Sequence, residues 1–304
     1  MATNNSEKYI EEQLTSILRQ TVPVDEVIIC DDRSSDQTAF RIQSFISRNA
    51  LEHNWKFISN GQNLGYASNF IKALRLTSGD LVFFCDQDDI WISDRIEKMK
   101  AVMETHSEVL LLGSEFEPFS STADAPRPHR WELKKFRRDD SLEKMEFCSE
   151  NIFIGCQGCT MCMRRSFIDT VNPYWYSGWA HDEYVWKLAL CMEGLYFYHA
   201  VTLKRRLHSN NVTLHREHEK GQRIKYLEEL LKSHQKTLEF LEDQGLEKGK
   251  AELLKRHIRA TEMRISLIEN HRYLNMPLLM MKYSDCYHKR RAIPVELMIA
   301  VRGK

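Results

Sequence analysis

The sequence predicts an α/β fold: an open, Rossmann-like sheet with helices on both faces, followed by a C-terminal helical hairpin. Three observations predict it. Short apolar runs alternate with helix-periodic segments along most of the chain, and the connections between them are short. Two of the apolar runs end in clusters of aspartates. From Glu219 onward the alternation stops and long helical periodicity replaces it. Residues 1–215 are therefore expected to form one domain and residues 216–304 a helical appendage.

Taken in order, Asn5 or Ser6 is placed to cap a helix whose apolar residues Ile10, Leu14, Ile17 and Leu18 fall at helical spacing, and Pro23 ends it. Glu26 to Cys30 is a strand that runs into Asp31, Asp32, Arg33, Ser34, Ser35 and Asp36. Ser35 or Asp36 then caps a helix carrying Phe40, Phe45 and Ile46. Trp55 to Ile58 is a short strand, and the loop Asn60 to Gly65 holds two turn glycines before a helix with Phe70, Ile71 and Leu74 inward. Leu81 to Cys85 reads as a strand buried on both faces. Asp86, Gln87, Asp88 and Asp89 follow at its carboxyl end, where open α/β sheets bind ligands. Ser93 caps the helix of Ile96, Met99 and Val102, and Val109 to Leu112 is another strand. Ser120 to Asp140, rich in proline and charge, has no apolar period and reads as a surface excursion. Cys159 to Met163 reads as a strand, His181 to Cys191 as a helix, and Leu195 to Tyr198 with Val201 to Leu207 as a last pair of strands.

The appendage begins with Ile224, Leu227, Leu230, Leu231, Leu238 and Leu241 on one amphipathic helix. Gly245 breaks it, and Leu253, Leu254, Ile258, Met263, Ile265 and Ile268 form a second. This hairpin packs on the sheet domain or on another subunit, which would make a homodimer. The tail mixes Lys282, His288, Lys289, Arg290 and Arg291 with Ile293, Val295, Leu297, Met298 and Ile299. It fits either a solvated helix end or peripheral contact with an anionic membrane surface.

Composition narrows the function classes. The chain is 42% hydrophobic and 28% charged, with 43 acids balanced by 43 bases, so no overall field points to nucleic acid. No run approaches the roughly 18 apolar residues of a membrane span. Met1 to Glu7 has neither the basic region nor the apolar core of a signal peptide, which suggests a cytoplasmic protein. The eight scattered cysteines suit reduced thiols better than a disulfide framework. Cys156, Cys159 and Cys162 have metal-like spacing but no fourth ligand at a customary distance, and read as ordinary buried thiols.

Asp86 and Asp88, two apart on a turn, can face one hard divalent cation such as Mg²⁺ or Mn²⁺ bridged to substrate phosphates; Asp89 can alternatively cap the next helix. Four signals stand in a fixed order: Asp31 to Asp36, Asn63 to Asn69, Asp86-Gln87-Asp88-Asp89-Ile90-Trp91, and His181-Asp182-Glu183. Together they resemble the bacterial family 2 glycosyltransferases of the GT-A fold, a mixed sheet that binds nucleotide-diphosphate sugars. The Asp-Gln-Asp-Asp-Ile-Trp variety resembles the rhamnosyltransferase-type enzymes of surface-polysaccharide assembly. The resemblance covers about residues 1–215.

The resemblance implies a metal-dependent, inverting transfer of a sugar to a hydroxyl of a saccharide or lipid-linked acceptor. Thr3, Asp31 and Asp32 would contact the nucleotide, with Asn63, Gly65 and Asn69 lining the same side. Asp86 and Asp88 would hold the metal, with His208 beside the diphosphate and Arg206 neutralising phosphate. Asp182 matches the family's general base, Glu183 is the runner-up, and the loop from Gly155 faces the acceptor. Two rival roles remain for these acids: Asp31 or Asp32 as a helix cap, and Asp182 with Glu183 as charge at a helix amino terminus.

One departure stands out. Family members open with an apolar strand ending near Ala2-Thr3, and this chain begins at Met1, so a shortened first strand is expected. That makes a catalytically impaired nucleotide-sugar or carbohydrate-binding protein the competing reading. Other classes fit less well. An aspartate-based phosphatase would want Thr or Val where Ile90 stands, a nucleotidyltransferase a Gly-rich basic loop in place of Asn4 to Glu7, and a helix–loop–helix calcium site Gly in place of Trp91.

Overall fold

A computed structural model describes residues 1–122, 125, 127–128, 133, 135–209, 219–246 and 249–302. The chain divides into two compact units. The first is Met1–Met145, Gly155–Val185 and Gly194–Leu214; the second is Glu146–Ile154, Trp186–Glu193 and His215–Lys304. Two short segments before residue 215 thus group with the C-terminal helices.

In the first unit the described strands form two ladders. Strands β1 (Ala2–Thr3), β2 (Val27–Asp31) and β3 (Trp55–Ser59) are parallel, in the order β1-β2-β3. The second sheet contains β4 (Leu81–Phe83), β5 (Ile90–Trp91), β6 (Leu111–Ser120), β7 (Leu142–Lys144), β8 (Cys162–Arg164) and β9 (Leu195–Leu207). Its order is β4-β8-β6-β9-β5, with β7 also on β9. Only β6 and β9 run parallel in it, so the architecture is mixed.

Among the described residues, the α-helices of this unit are α1 (Ile10–Leu18), α2 (Thr38–Arg48), α3 (Tyr66–Arg75), α4 (Arg95–Thr105) and α5 (Arg165–Val171). Helix α6 (His181–Cys191) begins in it. One core joins the two ladders: Ile10, Leu14 and Ile29 pack in the same cluster as Trp91, Phe116 and Leu203. Complete burial of a side chain such as Leu14 is worth about 1.5–3 kcal/mol. The acid-bearing ends of β2 and β4 are therefore fixed by shared packing.

Several local expectations shift. Leu195 to Leu207 is one strand rather than two; the register with β6 slips between Ser114 and Phe116, where His199 bonds Glu115 and Glu143. The turn Gly158–Thr160 is a 3₁₀ helix, so the strand predicted from Cys159 begins only at Cys162. Phe40 is 65% exposed, because the buried stripe of α2 runs through Thr38, Ile42, Phe45 and Ile46 and leaves it on the opposite face. Asp94, not Ser93, precedes α4 and pairs with Lys98. Much of Ser120 to Asp140 lies outside the described residues.

The second unit is helical. Helices α7 (Lys220–Asp243) and α8 (Lys250–Glu269) form the hairpin, turning through Gly245 at φ 63° and Gly249 at φ 74°, left-handed conformations that glycine adopts without strain. Helices α9 (Asn275–Lys282) and α10 (Ala292–Arg302) pack against α8. The apolar core includes Leu227, Leu230, Leu267, Leu279 and Ile299. Part of the hairpin seam is polar: Ser233, His234 and Thr237 on α7 and His257, Thr261 and Arg264 on α8 are buried. Among the described residues no helix is long and apolar enough to cross a membrane.

Candidate active site

The site is built at the ends of β2 and β4 and the start of α6, all within the first unit. At the end of β2, Asp31 and Asp32 are buried and take different work. The Asp31 carboxylate accepts hydrogen bonds from Thr3 Oγ1 (2.9 Å), Ser34 N (2.9 Å) and Ser34 Oγ (2.5 Å). Asp32 turns the other way and accepts from Asn60 Nδ2 (2.9 Å), Leu64 N (2.7 Å) and Gly65 N (2.8 Å). Asn63 Nδ2 donates to the Asp32 carbonyl (3.2 Å). Asn69 is buried and joins α3 to β2 by donating to the Cys30 carbonyl (2.7 Å). Of these predicted residues, Asp32 and Asn69 shape the loop from inside, while Asn63 and Gly65 are exposed on it.

After β4 the chain bends at Gln87 and Asp88. Asp88 Oδ2 lies 2.7 Å from His208 Nε2, so two of the predicted metal ligands meet. The acid that clusters with Asp86 is Asp89: ligand atoms of Asp86, Asp89 and Cys159 lie within 4.8 Å of one another. Burial first, then the charges of Asp89, Asp88 and Asp182, push Asp86 well above the usual carboxylate range. Burial and the Asp88 charge push Asp89 up to about 7. Burial also raises Cys159 well above an ordinary thiol. Arg206, predicted to meet phosphate, donates Nε to the Asp88 carbonyl (2.7 Å), pairs with Glu12 and lies over the rings of Tyr9 and Phe119. Its backbone N donates to Asp89 Oδ1 (3.0 Å). Arg95, fully buried, stacks on Trp91 and donates to the Cys159 carbonyl (2.8 Å), pinning that turn to the sheet.

Across from the acids, Asp182 and Glu183 occupy the first turn of α6, half-buried. Asp182 Oδ1 accepts from Glu183 N (2.8 Å). His181 is buried, stacked on Phe70 with ring centroids 3.9 Å apart and edge-on to Phe84 at 4.8 Å. Burial lowers its pKa to about 4, so the ring is neutral. Gly158 approaches this turn so closely that a Cβ there would stand 2.7 Å from His181 Nε2 and 3.1 Å from Asp182 Cβ. Gly155 lies in the loop leading into Gly158.

A sequence profile described as glycosyl transferase family 2 matches residues 1–171. The chain belongs to glycosyl transferase family 2. An Escherichia coli UDP-Glc:alpha-D-GlcNAc-diphosphoundecaprenol beta-1,3-glucosyltransferase is 32% identical over 114 residues, covering 38% of this chain and 43% of that protein. An uncharacterised Haemophilus influenzae glycosyltransferase is 27% identical over 229 residues, covering 73% and 68%. A Shigella flexneri dTDP-rhamnosyl transferase is 38% identical over 102 residues, covering 32% of this chain and 34% of that protein. The chain thus aligns with less than half of the length of two of these relatives. Among solved structures, Staphylococcus aureus TarS 1–349 in complex with UDP-GlcNAc superposes with a TM-score of 0.64 at 18% identity, over 100% of this chain and 90% of that one. The fold is GT-A. A Pyrobaculum calidifontis mannosyltransferase in complex with GDP-Man and Mn²⁺ has a TM-score of 0.53 at 15% identity, over 100% of this chain and 86% of that one.

Within this family 2 chain, the acidic cluster fits a hard divalent cation. Asp86 and Asp89 repel each other, and buried Asp89 Oδ2 has no partner but the weakly donating Cys159 thiol among the described residues. A cation would relieve both conditions. A neutral thiol is a poor ligand for Mg²⁺ or Mn²⁺, so the carboxylates and not Cys159 suit it. Sequence spacing pointed to Asp86 and Asp88; the bend at Gln87–Asp88 instead returns the chain so that Asp89 faces Asp86. The sequence alone reads Asp89 as a possible helix cap and gives Gln87 no role, although both lie inside the motif. Asn210 and Asn211, next to His208 in sequence, lie outside the described residues.

Proposed function

We propose that residues 1–215 catalyse inverting transfer of a sugar from a nucleoside-diphosphate sugar to a hydroxyl of a saccharide or lipid-linked acceptor in cell-surface polysaccharide synthesis. The observation that carries this reading is that Asp86 feels the charges of Asp89, Asp88 and Asp182 together, in a chain of this family. Asp31, oriented by Thr3 and Ser34, would accept hydrogen bonds from the nucleoside, and Asp32 would act by holding Asn63 to Gly65 in place.

Mg²⁺ or Mn²⁺ held by Asp86, Asp89 and the Asp88–His208 pair would neutralise charge on the diphosphate. Asp182 takes the proton from the acceptor hydroxyl. The acceptor oxygen bonds to the anomeric carbon as the bond to the diphosphate oxygen breaks, and the nucleoside diphosphate leaves with the electron pair. Attack opposite the leaving group inverts the anomeric configuration. Glu183 is the second carboxylate on this turn, and the Gly155 loop borders the acceptor side.

The test is metal-dependent donor hydrolysis and transfer by the full chain, after UDP-, dTDP- and GDP-sugars are screened for thermal stabilisation. Activity with Mn²⁺ or Mg²⁺ that disappears in Asp88→Ala and Asp182→Asn supports the proposal. Donor stabilisation without turnover in wild type would favour a binding-only role.

A further inference from the structure

Helices α9 and α10 of the second unit show apolar residues to solvent. In α9, Met276 and Leu279 are buried, while Leu278, Met280 and Met281 are exposed, Met281 by 87%; Leu274, just before the helix, is 92% exposed. In α10, Ile293, Ile299 and Ala300 are buried and Val295, Met298 and Val301 are exposed. The one acid between residues 292 and 301, Glu296, is buried against Arg264 and Arg223. Both helices pack on α8 and on each other, so their outer faces belong to one layer. A surface helix ordinarily turns charged or polar residues outward; one that is apolar on both sides needs a second apolar environment.

These helices, of 8 and 11 residues, are far shorter than the roughly 20 needed to span a bilayer. They suit the interface, where an apolar face sinks among acyl chains beneath a basic rim. The rim is present. Lys282 ends α9, the segment joining the two helices carries Lys289, Arg290 and Arg291, and the acid of that segment, Asp285, is held by Arg256 at 2.6 Å. We propose that the α9–α10 layer docks on an anionic bilayer, with Leu278, Met281 and Met298 inserted and the basic segment against lipid phosphates. A second copy of the chain suits this face less well, because a two-fold contact would set the same basic segment against itself.

The test is co-sedimentation of the full chain with vesicles of phosphatidylcholine alone or mixed with phosphatidylglycerol. Binding is expected on the anionic vesicles and should weaken as salt rises. Leu278→Gln/Met281→Gln/Met298→Gln should lower that binding by about tenfold or more, with an unchanged thermal midpoint because the three side chains are exposed. Arg290→Gln/Arg291→Gln should lower it by about tenfold. Equal binding by the triple variant and wild type would overturn the proposal. So would no wild-type binding to anionic vesicles, including the case in which sedimentation velocity shows a dimer that the triple variant dissolves. The readout needs no donor sugar and is independent of the transfer reaction.

Discussion

The Gln87 side chain forms two hydrogen bonds with the main chain of Asn4: Asn4 N donates to Gln87 Oε1 at 2.6 Å, and Gln87 Nε2 donates to the Asn4 carbonyl at 3.1 Å. One amide thus does the work of a strand partner, tying the segment after β1 to the acidic loop. It also sits between Asp86 and Asp88, so it fixes the bend that orients both. Gln87→Ala should lower unfolding free energy by about 1–3 kcal/mol, at roughly 0.5–1.5 kcal/mol per bond. Urea denaturation reads this directly, and turnover should fall as the loop loosens. Unchanged stability would show that Asn4 is held by other contacts.

Asp182 and Glu183 share the first turn of α6, and the proposed transfer needs only one of them as its base. Asp182→Asn should lower kcat by about 10²–10⁴ while thermal stabilisation by donor persists. Glu183→Gln should have the smaller effect on kcat. If the two variants rank the other way, the base is Glu183.

Gly158 carries a different prediction, because its demand is for space. A Cβ at this position would press on His181 Nε2, and the ring is held between Phe70 and Phe84 and cannot swing aside. The displacement passes to the adjacent Asp182. Gly158→Ala should therefore reduce kcat by up to about 10²-fold, the scale of a 1 Å misplacement, with little change in donor binding. Steady-state kinetics with a donor titration separates the two. Parallel losses in both would point instead to a general collapse of the loop.

How much of this was legible in the sequence follows from how local each signal is. Asp31, Asp86 and Asp182 stand out because apolar runs ending in carboxylates, and a His-Asp-Glu helix start, are contiguous patterns. The partition of labour within each cluster is not contiguous. That Asp32 faces Leu64 and Gly65, or that Asp88 faces His208, depends on loops many residues away. The helical hairpin was visible as apolar periodicity, which tracks Leu227, Leu230 and Leu241 but passes over Ser233, His234 and His257. Polar residues in a seam look like a solvent face until their partners are seen. Lys187 Nζ bonds the Ser233 hydroxyl, and Ser149 Oγ lies 2.7 Å from His257 Nε2.

The ion cluster of the second unit gives a pH-dependent prediction. Glu296 is fully buried, with Arg264 Nη2 at 2.7 Å and Arg223 Nε at 3.0 Å. Burial alone would raise the Glu296 pKa, but the two guanidinium groups outweigh it and hold it below the ordinary 4.5. The folded chain therefore binds this proton less readily than the unfolded chain, so ionised Glu296 favours folding. The contribution is complete above the unfolded pKa near 4.5 and is lost as pH falls through the lower folded value. Glu296→Gln leaves Arg264 buried without its carboxylate and should cost about 3–5 kcal/mol at neutral pH. The gap between variant and wild type should stay constant down to about pH 4.5 and narrow below it. Urea denaturation from pH 7 to pH 3 would measure this, and a gap independent of pH across that range would show that the cluster stabilises by packing and not by charge.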